Sequence, residues 1–135
     1  MNYNLLVNKI NNNLSPDLLR GIWKINYNPK DHPTTGHCYL ATEVLYWMLG
    51  GNKSDWMPHV LTNKAWSEGL EPQETHWFLK NKKIGKILDP TIGQFNGQKI
   101  KYEVGIPNGM MNHPIGGSKR AKIVMNRINE EKTCL

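Results

Sequence analysis

Three side chains of this sequence have types suited to covalent chemistry. Cys38 is one of two cysteines and stands in Gly36-His37-Cys38. The residues behind it are mostly apolar: Leu40, Ala41, Val44, Leu45, Trp47, Met48 and Leu49. This predicts a largely buried helix from about Thr35 to Leu49, stopped by Gly50-Gly51. Cys38 then falls in the first helical turn. Unpaired N–H groups and the positive end of the helix dipole lie there. They favour a thiolate, the reactive form of cysteine. The same N–H groups can bind the oxyanion of a tetrahedral intermediate. Gly36 is expected to leave room for a substrate. Taken alone, Cys38 reads equally well as a small buried core residue.

His76 and Asp89 shift that balance. The runs 75–80 (THWFLK) and 84–89 (IGKILD) read as two strands of a hairpin around Asn81-Lys82-Lys83. If the hairpin closes symmetrically, His76 and Asp89 are direct cross-strand partners, as are Phe78 with Ile87 and Lys80 with Gly85. Opposed side chains share a face, about 5 Å apart at Cβ. A carboxylate beside an imidazole fixes its tautomer and stabilises the imidazolium. The pairing depends on register, since a one-residue slip separates the groups onto opposite faces. Gly85 is a position where such a bulge would sit. Cysteine, histidine and aspartate would together make a nucleophile, base and orienter.

The remaining elements have to position these groups. Leu5, Leu6, Ile10 and Leu14 are spaced for a short amphipathic helix. Ser15-Pro16-Asp17 signals a second helix start, with Leu18, Leu19, Ile22 and Trp23 turned inward. Residues 26–36 read as loop, Met57 to Leu61 as a strand, and Ile100 to Val104 as a further strand. Pro90 ends the second hairpin strand. Ser118 caps a closing helix carrying Ala121, Ile123, Val124 and Ile128. The order predicts an α+β fold in which a buried helix carrying the cysteine packs on a small antiparallel sheet. At 135 residues, one domain spanning 1–135 is expected.

These motifs resemble the transglutaminase-like core, a branch of the wider papain-like group. The resemblance rests on Gly36-His37-Cys38-Tyr39-Leu40-Ala41, on Thr75-His76-Trp77-Phe78 and on Ile87-Leu88-Asp89-Pro90-Thr91. It covers about 55 residues, from Gly36 to Thr91, and implies Cys38 as nucleophile, His76 as general base and Asp89 as orienting acid. The whole chain also resembles small proteins of tailed bacteriophages in its Gly36–Gly51, His76–Leu79, Leu88–Phe95 and Ser118–Ala121 segments. That likeness implies a phage source and a host-cytoplasm location, but no activity. One departure matters. Papain-like proteases usually carry a glutamine shortly before the cysteine, and none precedes Cys38. His37, Gly36, Trp77 and Asn28 are the oxyanion or substrate candidates, with Asn26, Thr34 and Trp47 behind them.

Composition narrows the alternatives. No apolar run approaches a bilayer-spanning length, and the N-terminus lacks the pattern of a signal peptide, so a cytoplasmic location is expected. The net charge of +6 favours an acidic partner, whether a nucleic acid, an anionic polymer or an acidic protein surface. The five histidines and two cysteines lack zinc-site spacing, so no metal or cofactor is expected. His32, His59 and His113 each adjoin proline and read as loop residues. Trp56, Trp66 and Trp77 read as core before cleft. Cys134 reads as a tail thiol. Three functions follow. The first is a cysteine hydrolase or acyltransferase acting on an amide of a peptide or protein. The second is an inactive module binding nucleic acid or an acidic protein. The third is a cell-wall peptide hydrolase.

Overall fold

The computed structural model describes residues 2–30, 36–62, 75–95 and 99–133. His32, Thr34, Trp66 and Cys134 lie outside them.

The first helix, α1, is Tyr3–Asn11 and is capped by Asn2, whose side-chain oxygen accepts from the Leu5 N–H at 3.0 Å. Ile10 is buried, whereas Leu5 faces solvent. The helix expected from Ser15 does not form as one piece. A single 3-10 turn, Pro16–Leu18, is followed by extended Leu19 and by Gly21 at φ 59°. Only then does the one-turn helix α2, Ile22–Ile25, begin. Ser15 makes no side-chain cap, because its hydroxyl accepts from Arg127 Nη1 at 2.8 Å. Leu18 and Leu19 are buried as expected.

Helix α3, Cys38–Met48, is the centre of the fold. It begins at Cys38 rather than Thr35, because Gly36 sits at φ 80° and breaks the helical path. It ends where Gly50 takes φ 115°. Its residues from Leu40 to Tyr46 are all buried, and α1, the closing helix and the sheet surround it. The closing helix, α4, is Lys119–Thr133 and buries Ala121, Val124 and Ile128, while Ile123 is exposed. Ser118 caps it, accepting from the Ala121 N–H at 3.2 Å. Buried Glu43 of α3 fastens this cap by accepting from the Ser118 N–H at 2.9 Å and its hydroxyl at 2.7 Å.

The antiparallel sheet comprises β1 (Trp56–Thr62), β2 (Thr75–Asn81), β3 (Ile87–Leu88) and β4 (Ile106–Pro107), in the order β3-β2-β1-β4. The segment expected as a strand from Ile100 to Val104 instead contains a 3-10 turn, Tyr102–Val104, with β4 just beyond it. Side chains alternate across the strands. Val60, Trp77, Leu79 and Leu88 face the helices, joining the core formed by Cys38, Leu40, Val44 and Leu45. Leu61, Phe78 and Ile100 form a second cluster with Tyr102 and Ile87. The α+β expectation therefore holds, with a small four-stranded antiparallel sheet and four helices among the described residues.

Candidate active site

The β2–β3 connection sets the relation between His76 and Asp89. The strands pair Leu79 with Leu88 and Lys80 with Ile87. Asn81 N–H continues the ladder to Lys86 O at 2.8 Å. The loop is therefore Lys82–Gly85, longer than the expected turn. Asn81 Oδ1 accepts from the N–H groups of Lys83 and Ile84, and Gly85 closes the loop at φ 73°. The expected pairing of His76 with Asp89 is corrected by two residues: Asp89 falls level with Phe78. An even shift preserves the face of every side chain. His76 and Asp89 are thus diagonal rather than direct neighbours, and they still meet.

Their contact is close and dry. His76 Nε2 lies 2.6 Å from Asp89 Oδ2, with side-chain exposures of 0% and 4%. Tyr102 donates its hydroxyl to the same Oδ2 at 2.8 Å, and the Thr91 N–H donates to Oδ1 at 3.2 Å. Burial and the Asp89 charge hold the Tyr102 phenol well above its usual range, so it stays a donor. Burial pulls the His76 imidazolium down. The Asp89 hydrogen bond, the Cys38 hydrogen bond and the charges of both outweigh it and place His76 at about 9. His76 is therefore cationic at neutral pH.

Cys38 reaches this pair from the helix side. It is the first residue of α3, and its thiol lies 3.6 Å from Thr75 O. One turn on, Thr42 Oγ1 donates to Trp77 O at 3.1 Å, fixing the start of α3 against the start of β2. β3 pairs with Leu79 and Lys80 alone, so the opening residues of β2 have no β3 partner. The cysteine also helps to hold a proton on the His76 ring.

The other predicted site residues are placed differently. Gly36 does not open a path for substrate: a Cβ there would meet Trp23 Cβ at 2.9 Å and Leu19 Cδ2 at 3.0 Å. Close packing and its positive φ account for this glycine. Trp77 points to the α3 face, where its ring meets Tyr39 edge-on at 4.9 Å, away from His76. Asn28 is exposed and turns its side-chain oxygen onto the Lys30 N–H at 2.9 Å. Trp47 Nε1 is engaged by Met111 O at 3.1 Å. His37 is buried at the N-cap of α3, and its Nδ1 has no hydrogen-bond partner among the described residues. Burial, with Arg120 nearby, presses His37 to about 4, so it is neutral. His59 lies in β1, not in a loop, with Nδ1 2.9 Å from Met57 O. Trp56 is core.

No family model, curated protein or solved structure matches this chain. The site must therefore be read from its own chemistry. Among the described residues no group of three His, Cys, Asp or Glu side chains is placed to hold a metal ion. None of their helices is long and apolar enough to cross a membrane.

Two functional neighbours escape a reading of the sequence. Tyr102 gives no periodic signal, because it sits in an isolated 3-10 turn after a glycine-rich stretch. Glu43 had a visible mark, a lone acid inside the apolar run of α3.

Proposed function

We propose that the protein is a cysteine hydrolase or acyltransferase that acts on an amide through Cys38, His76 and Asp89. The observation that carries this reading is the buried 2.6 Å contact between His76 and Asp89, with the Cys38 thiol 3.6 Å from the carbonyl of the residue before His76. A structural histidine needs one good partner. This one is held cationic by a buried carboxylate, with a cysteine at the helix start beside its strand, which suits a nucleophile with its base and orienter. The papain- and transglutaminase-like plan of a cysteine helix against a histidine strand agrees with it, and a peptide, isopeptide or glutamine side chain is the expected substrate.

In this mechanism the thiol proton resides on His76 and the Cys38 sulfur attacks the amide carbonyl carbon. The C=O π pair moves onto oxygen. Backbone N–H groups in the first turn of α3 have no intrahelical acceptor and are the donors placed to receive that oxyanion. The tetrahedral intermediate collapses, the C–N bond breaks, and the leaving nitrogen takes the proton from His76. Water or an amine then attacks the thioester, giving its proton to His76. The products are an acid or a new amide, with the thiol released. Asp89 stabilises each imidazolium.

The test needs no known substrate. Iodoacetamide should alkylate Cys38 at pH 7 at least about tenfold faster than the same residue in urea, and His76→Ala should remove that advantage. p-Nitrophenyl acetate should give a burst of nitrophenolate stoichiometric with protein, absent in Cys38→Ser. Alkylation at the urea rate with no burst would sink the proposal.

A further inference from the structure

A cavity of about 540 Å³ opens between the Asp17–Lys24 segment and the first turns of α4. Four cations line it, Arg20, Lys24, Lys119 and Arg120, against one carboxylate, Asp17. Asp17 is largely exposed, and its ion-pair contact is with Arg127 at 3.9 Å. Among the described residues, Arg20, Lys24 and Lys119 have no ion-pair partner. Arg120 is fixed in place: it is half-buried, and its Nη1 donates to Leu18 O at 2.6 Å. Burial and the charge of Arg20 both act against the Arg120 cation. Glu43 offsets that in part, although both its oxygens are taken by Ser118. Like charges gathered around one concavity repel, a cost that a bound anion removes.

We propose that this cavity is a binding site for a dianionic phosphate monoester. A carboxylate would neutralise one of the four charges, whereas a phosphate carries about two negative charges and three strong acceptor oxygens. Guanidinium groups bind such oxygens in a planar fork, and lysines add point charge. The fifteen-residue helix α4 directs the positive end of its dipole to the same place. The volume falls within the usual range of small-molecule sites, about 300–1,000 Å³, which leaves room for the group that carries the phosphate. Leu18, Leu19 and Ile123 add apolar lining. Leu19 also packs behind Gly36, so the cavity lies next to the segment that leads into Cys38.

The experiment is calorimetric titration of the full chain with inorganic phosphate, phenyl phosphate and acetate at one ionic strength. Saturable binding of both phosphates, with no response to acetate, is expected. The pair Arg20→Gln and Lys119→Gln should weaken phosphate binding about tenfold or more, since both residues are exposed and have no partner to lose. The pair Lys82→Gln and Lys83→Gln, in the β2–β3 loop, should leave it unchanged. A serine-phosphorylated peptide that displaces phosphate at lower concentration than phosphate itself would assign the group to a protein partner. Tighter binding of phenyl phosphate than of the peptide would assign it to a small-molecule phosphate ester, and tighter binding of inorganic phosphate than of either would overturn the monoester assignment. Absence of saturable binding, an equal response to acetate, or equal loss in both variant pairs overturns the proposal. Cys38 takes no part in the titration, so this outcome is independent of the acyl-transfer reading.

Discussion

Asp89 receives three donors, and the roles of its neighbours follow from that. His76 and Tyr102 share Oδ2, while the Thr91 N–H takes Oδ1. Asp89→Asn would present an amide with a single acceptor oxygen to the same donors, so the imidazole loses its charge support. Cys38 alkylation at pH 7 in that variant should fall to the rate of His76→Ala. Tyr102→Phe keeps the carboxylate and removes one charge-assisted bond, costing about 2 kcal/mol in urea unfolding. Its effect on alkylation should be small, because the His76 contact remains. Equal effects of the two variants on alkylation would show that Tyr102, not the carboxylate, sets the imidazole. At this scale the sequence disclosed the residues whose chemistry is unusual for their local setting: a cysteine at a helix start, and a histidine and an aspartate at strand ends. It did not disclose Tyr102, whose role comes from a contact thirteen residues away in an irregular segment.

The elements were legible where periodicity is strong and failed where backbone geometry intervenes. α3 was visible as a wide apolar stripe, but its first turn was misplaced because Gly36 takes a left-handed conformation. The second helix was expected whole and is broken by extended Leu19 and by Gly21. The hairpin turn was read as too short, yet parity rescued the His76–Asp89 contact, because a two-residue shift leaves faces unchanged. Two glycines separate strain from packing. Gly85 at φ 73° has open space where a Cβ would go, so Gly85→Ala should cost about 1 kcal/mol of strain alone. Gly36 at φ 80° meets Trp23 Cβ at 2.9 Å, so Gly36→Ala adds overpacking, for a total of roughly 3 kcal/mol. Denaturant midpoints of the two variants measure the difference. Gly36→Ala should also disturb Cys38 alkylation, since the strained residue leads directly into α3, whereas Gly85→Ala should not. Comparable losses in both would mean that Trp23 gives way and that Gly36 is needed for its dihedral alone.

Across the whole molecule, the two buried histidines flanking the site act in opposite directions on stability. Both have an ordinary value of 6.5, but His37 sits at about 4 and His76 at about 9. Between pH 4 and 6.5 the unfolded chain takes up a proton at His37 that the folded chain excludes, so stability rises with pH. Its contribution is complete above 6.5 and is lost as pH falls toward 4. Above 6.5 the folded chain retains a proton at His76 that the unfolded imidazole has released; in the wild type that proton comes from the Cys38 thiol, and the two states bind equal protons until the unfolded thiol ionises at about 8.5, so the fall in stability with pH is read in Cys38→Ser. That contribution is complete below 6.5 and is lost as pH rises through 9. In Cys38→Ser the two limbs meet in a maximum near pH 6.5. Urea midpoints measured from pH 4.5 to 9.5 should trace this dome. Asp89→Asn should flatten the alkaline limb and leave the acid limb intact, because it removes the carboxylate that holds the His76 proton. His37→Gln should flatten the acid limb alone. A dome that survives Asp89→Asn unchanged would mean that the His76–Asp89 contact does not hold a proton in solution, and the base assigned to Cys38 would fall with it.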